Sequence, residues 1–394
     1  MAQQDRQAII VLGMHRSGTS ALAGTLAKLG VRLPARLLPE NEYNPKGYFE
    51  PGQIVAIHDR LLAAAGLSWS SIAGLPKTWF GSDEARACAA ELAEAVRQDY
   101  ADAPLFVVKD PRMCRLMPLW RTVLDEVGAQ ARFVMPLRHP DEVARSLQRR
   151  DGLPLAQGYL LWLCHVLEAE RETRNAPRVF VHFHDLLSDP MQTAEAVAVR
   201  LIGKSLAAGE DGAREIAALI DPALRHEIAQ PGELLEPAAL RPWLMDAYEA
   251  FAALIGNPTD QQAMRKLDQV SAAFEPAAEL FAPLVAASDA KIASLVRSSA
   301  TLDETNARLT QTVSELNGTV SVLRNTVAGL EKIVALQDER AIHLHRAIDA
   351  HKAHIDALNS QAEEIFQSTG WRLLAPLRWL GAQRNRLRQA RRGK

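Results

Sequence analysis

Ala8-Ile9-Ile10-Val11-Leu12-Gly13-Met14-His15-Arg16-Ser17-Gly18-Thr19-Ser20 is the stretch that decides the fold. An uncharged apolar run over 8–13 ends at a glycine, and a helical pattern opens at Gly18 and continues to Leu29. A strand that turns directly into a helix brings backbone N–H groups and a helix N-terminus to one point, where they can hold an anion. Gly13 and Gly18 let the backbone come close to a phosphate, and the hydroxyls of Ser17, Thr19 and Ser20 add donors. A nucleotide-triphosphatase loop would carry lysine directly after its second glycine. Here Thr19 stands there, and the cation, Arg16, lies two places before Gly18.

Further along, residues 105–109, 132–137 and 178–183 read as short apolar strands, and 54–65, 83–100, 141–148 and 157–174 as helices. Strands separated by helices predict an α/β sandwich of three layers, a central parallel sheet with helices on both faces. Residues 191–275 are alanine-rich and helical in pattern, broken at Pro222, Pro231, Pro237, Pro242 and Pro258, and complete a domain over 1–275. The strand at 132–137 runs into Arg138-His139-Pro140-Asp141, with Ser146 eight residues after Arg138. Pro140 suits the first position of a helix, which places Ser146 about two turns in. An arginine fork and a hydroxyl so placed would each contribute about 1.5–3 kcal/mol to a bound phosphate.

These two corners together resemble the sulfotransferases that use 3′-phosphoadenosine 5′-phosphosulfate (PAPS), in particular bacterial members opening with Gly-Met-His-Arg-Ser-Gly-Thr-Ser. The resemblance covers residues 8–190 and implies a P-loop fold, PAPS as donor without a metal, and a hydroxyl acceptor, here a saccharide. It places the 5′-phosphosulfate end on Gly13, His15, Arg16, Ser17, Gly18, Thr19 and Ser20. Arg16 stands where the family usually has lysine and would stabilise the transferring group. It places the 3′-phosphate on Arg138 and Ser146. The segment 44–50, Asn-Pro-Lys-Gly-Tyr-Phe-Glu, also occurs in proteins similar to this one, and carbohydrate sulfotransferases commonly take their base from this part of the chain. Glu50 is therefore the first candidate base, although an acid just before a helix also suits the helix dipole. His58 is the second, because some members use histidine. Lys109-Asp110-Pro111-Arg112 ends a strand at the edge where open α/β sheets bind ligands. Lys109 could reach the sulfuryl group, and Arg112 could meet an anionic acceptor or simply pair with Asp110. Two competing readings stay open: a kinase in which Asp110 holds magnesium, and a non-catalytic P-loop scaffold.

Composition narrows the rest. The 394 residues carry 45 basic and 47 acidic side chains, with eight basic and no acidic ones from Trp371 to Lys394, so residues 1–370 have a net charge of −10. An acidic body argues against a nucleic-acid partner. Three widely spaced cysteines suggest neither a disulfide framework nor a zinc site. With no signal-like start and no apolar run approaching 18 residues, a cytoplasmic protein that does not span a membrane is expected.

Beyond a linker at 276–291 marked by Pro276 and Pro283, residues 292–365 contain no proline and keep a heptad pattern for ten heptads. Ile292, Val313, Val320, Val327, Val334, Ile348 and Ile355 fall at position a, and leucines from Leu295 to Leu358 recur at d. Branched residues at a with leucine at d predict a parallel dimeric coiled coil, on the order of 110 Å long. Ser299, Asn306, Gln337 and His351 interrupt the seam. His343, His345, His351 and His354 occupy different faces and do not form a metal site. The tail, 366–394, joins Trp371, Leu377 and Trp379 to an arginine run, which suits an anionic membrane surface at the inner face of the membrane or an assembly partner.

Overall fold

The structure, a computed structural model, describes residues 6–41, 44, 46–206, 209–220 and 237–392. The breaks expected at Pro222 and Pro231, and Pro45 of the 44–50 segment, lie outside the described residues. In chain order the elements are β1 (Arg6–Val11), α1 (Thr19–Lys28), α2 (Gly52–Ala64), α3 (Asp83–Tyr100), β2 (Leu105–Lys109), α4 (Met113–Glu126), β3 (Ala129–Leu137), α5 (Pro140–Asp151), α6 (Leu155–Thr173) and β4 (Arg178–His182). There follow α7 (Phe183–Ser188), α8 (Pro190–Ile202), α9 (Glu210–Leu219), α10 (Arg241–Gly256), α11 (Gln261–Gln367), α12 (Thr369–Leu373) and α13 (Ala375–Arg392).

Four strands form one parallel sheet in the order β2-β1-β3-β4. Alternate side chains of a strand leave on opposite faces, and here both faces are apolar. Ala8, Ile10, Phe106, Val108, Phe133, Met135 and Phe180 enter one core, covered by Leu92 of α3, Trp120 of α4, Trp162 of α6 and Phe251 of α10. Ile9, Val11, Val107, Val134, Val179 and Val181 enter a second, covered by Leu22 and Leu26 of α1 and by Val197 and Leu201 of α8. The three layers expected from the sequence are these two helical layers and the sheet between them. From β1 the chain crosses to one side to form β2, then to the other to form β3. The carboxyl ends of β1 and β3 therefore flank the point of reversal, where such sheets hold their ligands.

Helix α4 has no counterpart in the sequence reading. It carries Pro118 in its interior, yet buries Cys114, Met117, Trp120 and Leu124 along one side. The stretch 276–291, read as a linker, is helical and lies within α11, which runs through both Pro276 and Pro283. Each proline removes one N–H from the ladder, and the uninterrupted turns on either side carry the helix past it.

The chain divides into two compact units, Met1–Ser294 and Leu295–Lys394. In the first, Leu267, Val270 and Phe274 of α11 are buried. In the second, the seam leucines stand open to solvent, Leu302 63% and Leu344 64% exposed. By length and composition α11 also contains a window apolar enough to cross a membrane. Every 18-residue stretch of α11 includes a charged side chain, so no unbroken apolar run marks it in the sequence. The tail is helical: Ser368 Oγ accepts the Trp371 N–H at 3.2 Å to cap α12, and the Arg378 guanidinium lies 3.7 Å from the Trp371 ring centre.

Candidate active site

The loop between β1 and α1 contains two left-handed residues, Arg16 (φ 70°) and Gly18 (φ 89°). Gly18 is required on a second count, since a Cβ there would lie 2.4 Å from the Phe183 ring. The Gly13 N–H donates to Cys114 Sγ at 3.1 Å, which ties the start of the loop to α4. Thr19 and Ser17 are buried, and the Ser17 hydroxyl has no partner among the described residues.

The corner after β3 closes on this loop. Arg16 Nε donates to Ser146 Oγ at 2.8 Å, although the two residues are 130 positions apart. Arg138 Nη1 donates to the Arg16 carbonyl at 2.8 Å, its Nε donates to Glu142 at 2.8 Å, and its guanidinium lies 4.5 Å from the Phe183 ring centre. Helix α5 begins with Pro140 at its first position and His139 Nδ1 accepting the Asp141 N–H. This start sets Ser146 and Glu142 on the turns that face Arg16 and Arg138. Burial, reinforced by Arg150 and Arg138, brings the Arg16 guanidinium down to about 10, so it remains a cation at neutral pH. Arg16, expected on the transferring group, is bonded through its side chain to Ser146, the residue expected at the 3′-phosphate.

Lys109 ends β2 beside them. Its ammonium donates to Ser20 Oγ at 3.1 Å and the Tyr48 carbonyl at 3.3 Å, and forms a buried ion pair with Glu50 Oε1. Arg112 Nη1 stands 3.9 Å from the other Glu50 oxygen. Glu50 is 3% exposed. Its burial pushes the carboxyl above the ordinary carboxylate range, against the opposing pull of Lys109. Phe49, just before it, has the left-handed φ of 56°. Its ring packs on α1 at Gly24, where a Cβ would come within 2.9 Å of the ring.

His58, the second candidate base, does not line the cleft that holds Glu50. It is fully buried, with Nδ1 2.7 Å from Asp110 Oδ2 and Nε2 accepting the Trp120 indole N–H at 2.9 Å, so both ring nitrogens are engaged. Arg112 pairs with Asp110 at 2.9 Å and with Asp59 at 2.7 Å, which fixes the turn after β2. Burial alone would raise the Asp110 carboxyl, but Arg112 and the His58 hydrogen bond hold it well below the usual range. Both Asp110 oxygens are thus taken by protein groups, which removes the free carboxylate that the kinase reading needs. His15 sets its ring edge-on to Trp69 at 4.7 Å, and its Nε2 is buried without a partner among the described residues. Burial, then Arg112, Arg150 and Lys109, lower its pKa well below the ordinary value, so the imidazole is neutral.

One cleft gathers most of these residues. His15, Arg16, Gly18, Thr19 and Ser20 line it together with Glu50, Lys109 and Arg138. Gly13, Ser17, Ser146 and His58 do not line it, and Ser146 is linked to it through Arg16. The sequence reading missed Phe183, Glu142 and Cys114. Glu142 was within reach of it, as an acid four residues after Arg138 on a helix. Cys114 was not, because its contact with Gly13 spans 101 residues.

Solved structures that align with the chain include three sulfotransferases. They are the sulfotransferase domain of the Synechococcus PCC 7002 olefin synthase (17% identity, 64% of this chain and 97% of that one, TM-score 0.36), the sulfotransferase domain from the curacin biosynthetic pathway (15%, 68% and 98%, TM-score 0.31), and a sulfotransferase from Mycobacterium tuberculosis H37Rv (18%, 54% and 71%, TM-score 0.30). No curated protein matches. The model of the sulfotransferase family matches residues 8–201, from β1 to the last turn of α8. Residues 8–201, which supply most of this cleft, thus form a domain of the sulfotransferase family.

Proposed function

We propose that the cleft takes PAPS as donor and sulfates a hydroxyl of a saccharide. The observation that carries this reading is the 2.8 Å contact between Arg16 and Ser146, which joins the loop after β1 to the corner after β3 in one anion site. The residues present fit a donor charged at both ends. Arg138, Ser146 and Arg16 would hold the 3′-phosphate. The α1 N-terminus, Thr19, Ser20 and the buried His15 Nε2, which lacks a partner among the described residues, would hold the other end. When bound, the donor supplies an activated sulfuryl group. Glu50 then takes the proton of the acceptor hydroxyl onto a carboxylate oxygen. Lys109 keeps that carboxylate ionised and aimed, and adds positive charge where the leaving oxygens gather. The saccharide rests on the place of Glu50, because carbohydrate sulfotransferases commonly take their base from this part of the chain.

The test is a thermal shift with adenosine 3′,5′-bisphosphate. At 100 times the dissociation constant the ligand should add about 2.7 kcal/mol of stability, and Arg138→Ala should abolish most of the shift. A flat response from the unaltered protein would leave the scaffold reading standing. Radiolabelled donor incubated with cell-derived glycans then identifies the acceptor.

A further inference from the structure

An apolar surface without a partner among the described residues runs along the seam of α11. Leu295, Leu302, Leu309, Leu316, Leu323 and Leu330 are each 56–63% exposed, and Val313, Val327 and Val334, on the neighbouring row, are 54–59% exposed. Leaving such a stripe in water is unfavourable in proportion to its area. A stripe that repeats every seven residues for ten heptads follows a helical path that only another helix with the same supercoil can track. We propose that a second copy of this chain covers the seam, parallel and in register, as a two-stranded coiled coil.

The polar seam residues choose both the partner and its direction. Ser299, Asn306, Gln337 and His351 sit at a or d among aliphatic residues. In a parallel pair in register each of them meets its own copy, so every buried polar group faces a group able to hydrogen-bond with it. Reversing one helix about the middle of the seam pairs Asn306 with His351 but sets Gln337 against Val320 and Ser299 against Leu358, which leaves an amide and a hydroxyl facing hydrocarbon. The flanks permit this choice, because each charge at an e position (Asp303, Arg324, Glu331, Asp338 and Lys352) would lie beside an uncharged g residue of a parallel partner. Thr305, Thr312, Thr319 and Thr326, at successive g positions, carry no charge, and each hydroxyl donates to the carbonyl four residues back in its own helix. Orientation is therefore set by the polar layers within the seam. Asn306 at an a position further favours two strands over three.

Sedimentation equilibrium of the full chain should give twice the monomer mass at micromolar concentration; a monomer or a trimer overturns the proposal. Leu316→Glu should return the chain to a monomer while leaving the thermal shift with adenosine 3′,5′-bisphosphate unchanged, and a variant that stays dimeric overturns the assignment of the seam. For direction, Leu316→Cys in a Cys88→Ser background should form a disulfide-linked homodimer on oxidation. If Leu316→Cys links only to an Ala341→Cys chain mixed with it, the helices run antiparallel and the parallel arrangement is wrong. None of these outcomes depends on the chemistry of the cleft.

Discussion

Strand β1 and the seam of α11 are made of similar residues and end in opposite environments. Ile9, Ile10 and Val11 are 0% exposed, while Leu302 and Leu316 of α11 are 63% and 58% exposed. The strand sends alternate side chains to two faces, and the chain itself supplies a helical layer for each. The seam repeats with a period that no other part of the described chain shares. Composition is thus silent about whether an apolar segment closes on its own chain or awaits another; periodicity decides it.

The same contrast predicts a clean separation of effects, chemistry in the first unit and association in the second. Glu50→Gln keeps the shape of the loop and an acceptor for Lys109, so it should retain donor binding while turnover falls by about 10²–10⁴-fold. Because Glu50 titrates above the ordinary carboxylate range, it becomes protonated on acidification sooner than an ordinary carboxylate would. The acid limb of kcat/KM should therefore lie above about 4.3, the ordinary glutamate value, and should vanish in the variant. An unchanged limb would move the base elsewhere. Arg138→Ala removes a fork that touches both Glu142 and the Arg16 carbonyl. It should weaken donor binding by about 10–150-fold, as expected for loss of one charged hydrogen-bonding group, and leave the sedimentation mass unaltered. Gly18→Ala puts a methyl into the Phe183 ring at a left-handed position and should cost about 1–3 kcal/mol in denaturant unfolding. The smallest effect belongs to the tail. Leu377 and Trp379, 65% and 64% exposed beside the arginines, should bind vesicles of mixed phosphatidylglycerol and phosphatidylcholine, and Trp379→Ala should weaken binding severalfold. Equal binding to pure phosphatidylcholine would rule out an electrostatic anchor.

What the sequence disclosed follows the distance over which each feature is built. The Gly13–Ser20 loop and the Arg138–Ser146 corner were legible because a strand end, a turn and a helix start are neighbours in the chain, and the side chains they present are set locally. The closure of the first on the second was not legible from spacing alone, and came with the family resemblance. The Lys109 to Glu50 pair joins residues 59 apart through the order of strands, so Glu50 could be named but its partner could not. The surroundings of His58 were hidden for the same reason. Its two partners, Asp110 and Trp120, arrive from β2 and α4, and a helix that carries an internal proline gave no local sign of itself. Pro276 and Pro283 misled in the opposite direction, since a proline weakens a long helix without having to end it.

Phe49 adds a consequence for how this protein could change over generations. Its left-handed backbone costs on the order of 1–3 kcal/mol, and it lies one residue from the carboxylate at the heart of the cleft. A glycine at this position would release that strain, but would also release the ring from Gly24 and the loop that presents Glu50. Selection for thermal endurance alone would therefore weigh relief of the strain against loss of the ring's packing, and selection for turnover would add a separate pressure to retain an aromatic residue there. A library screened first for heat resistance and then for sulfate transfer would sort position 49 into two populations, and the residue found in each would record which pressure had been applied.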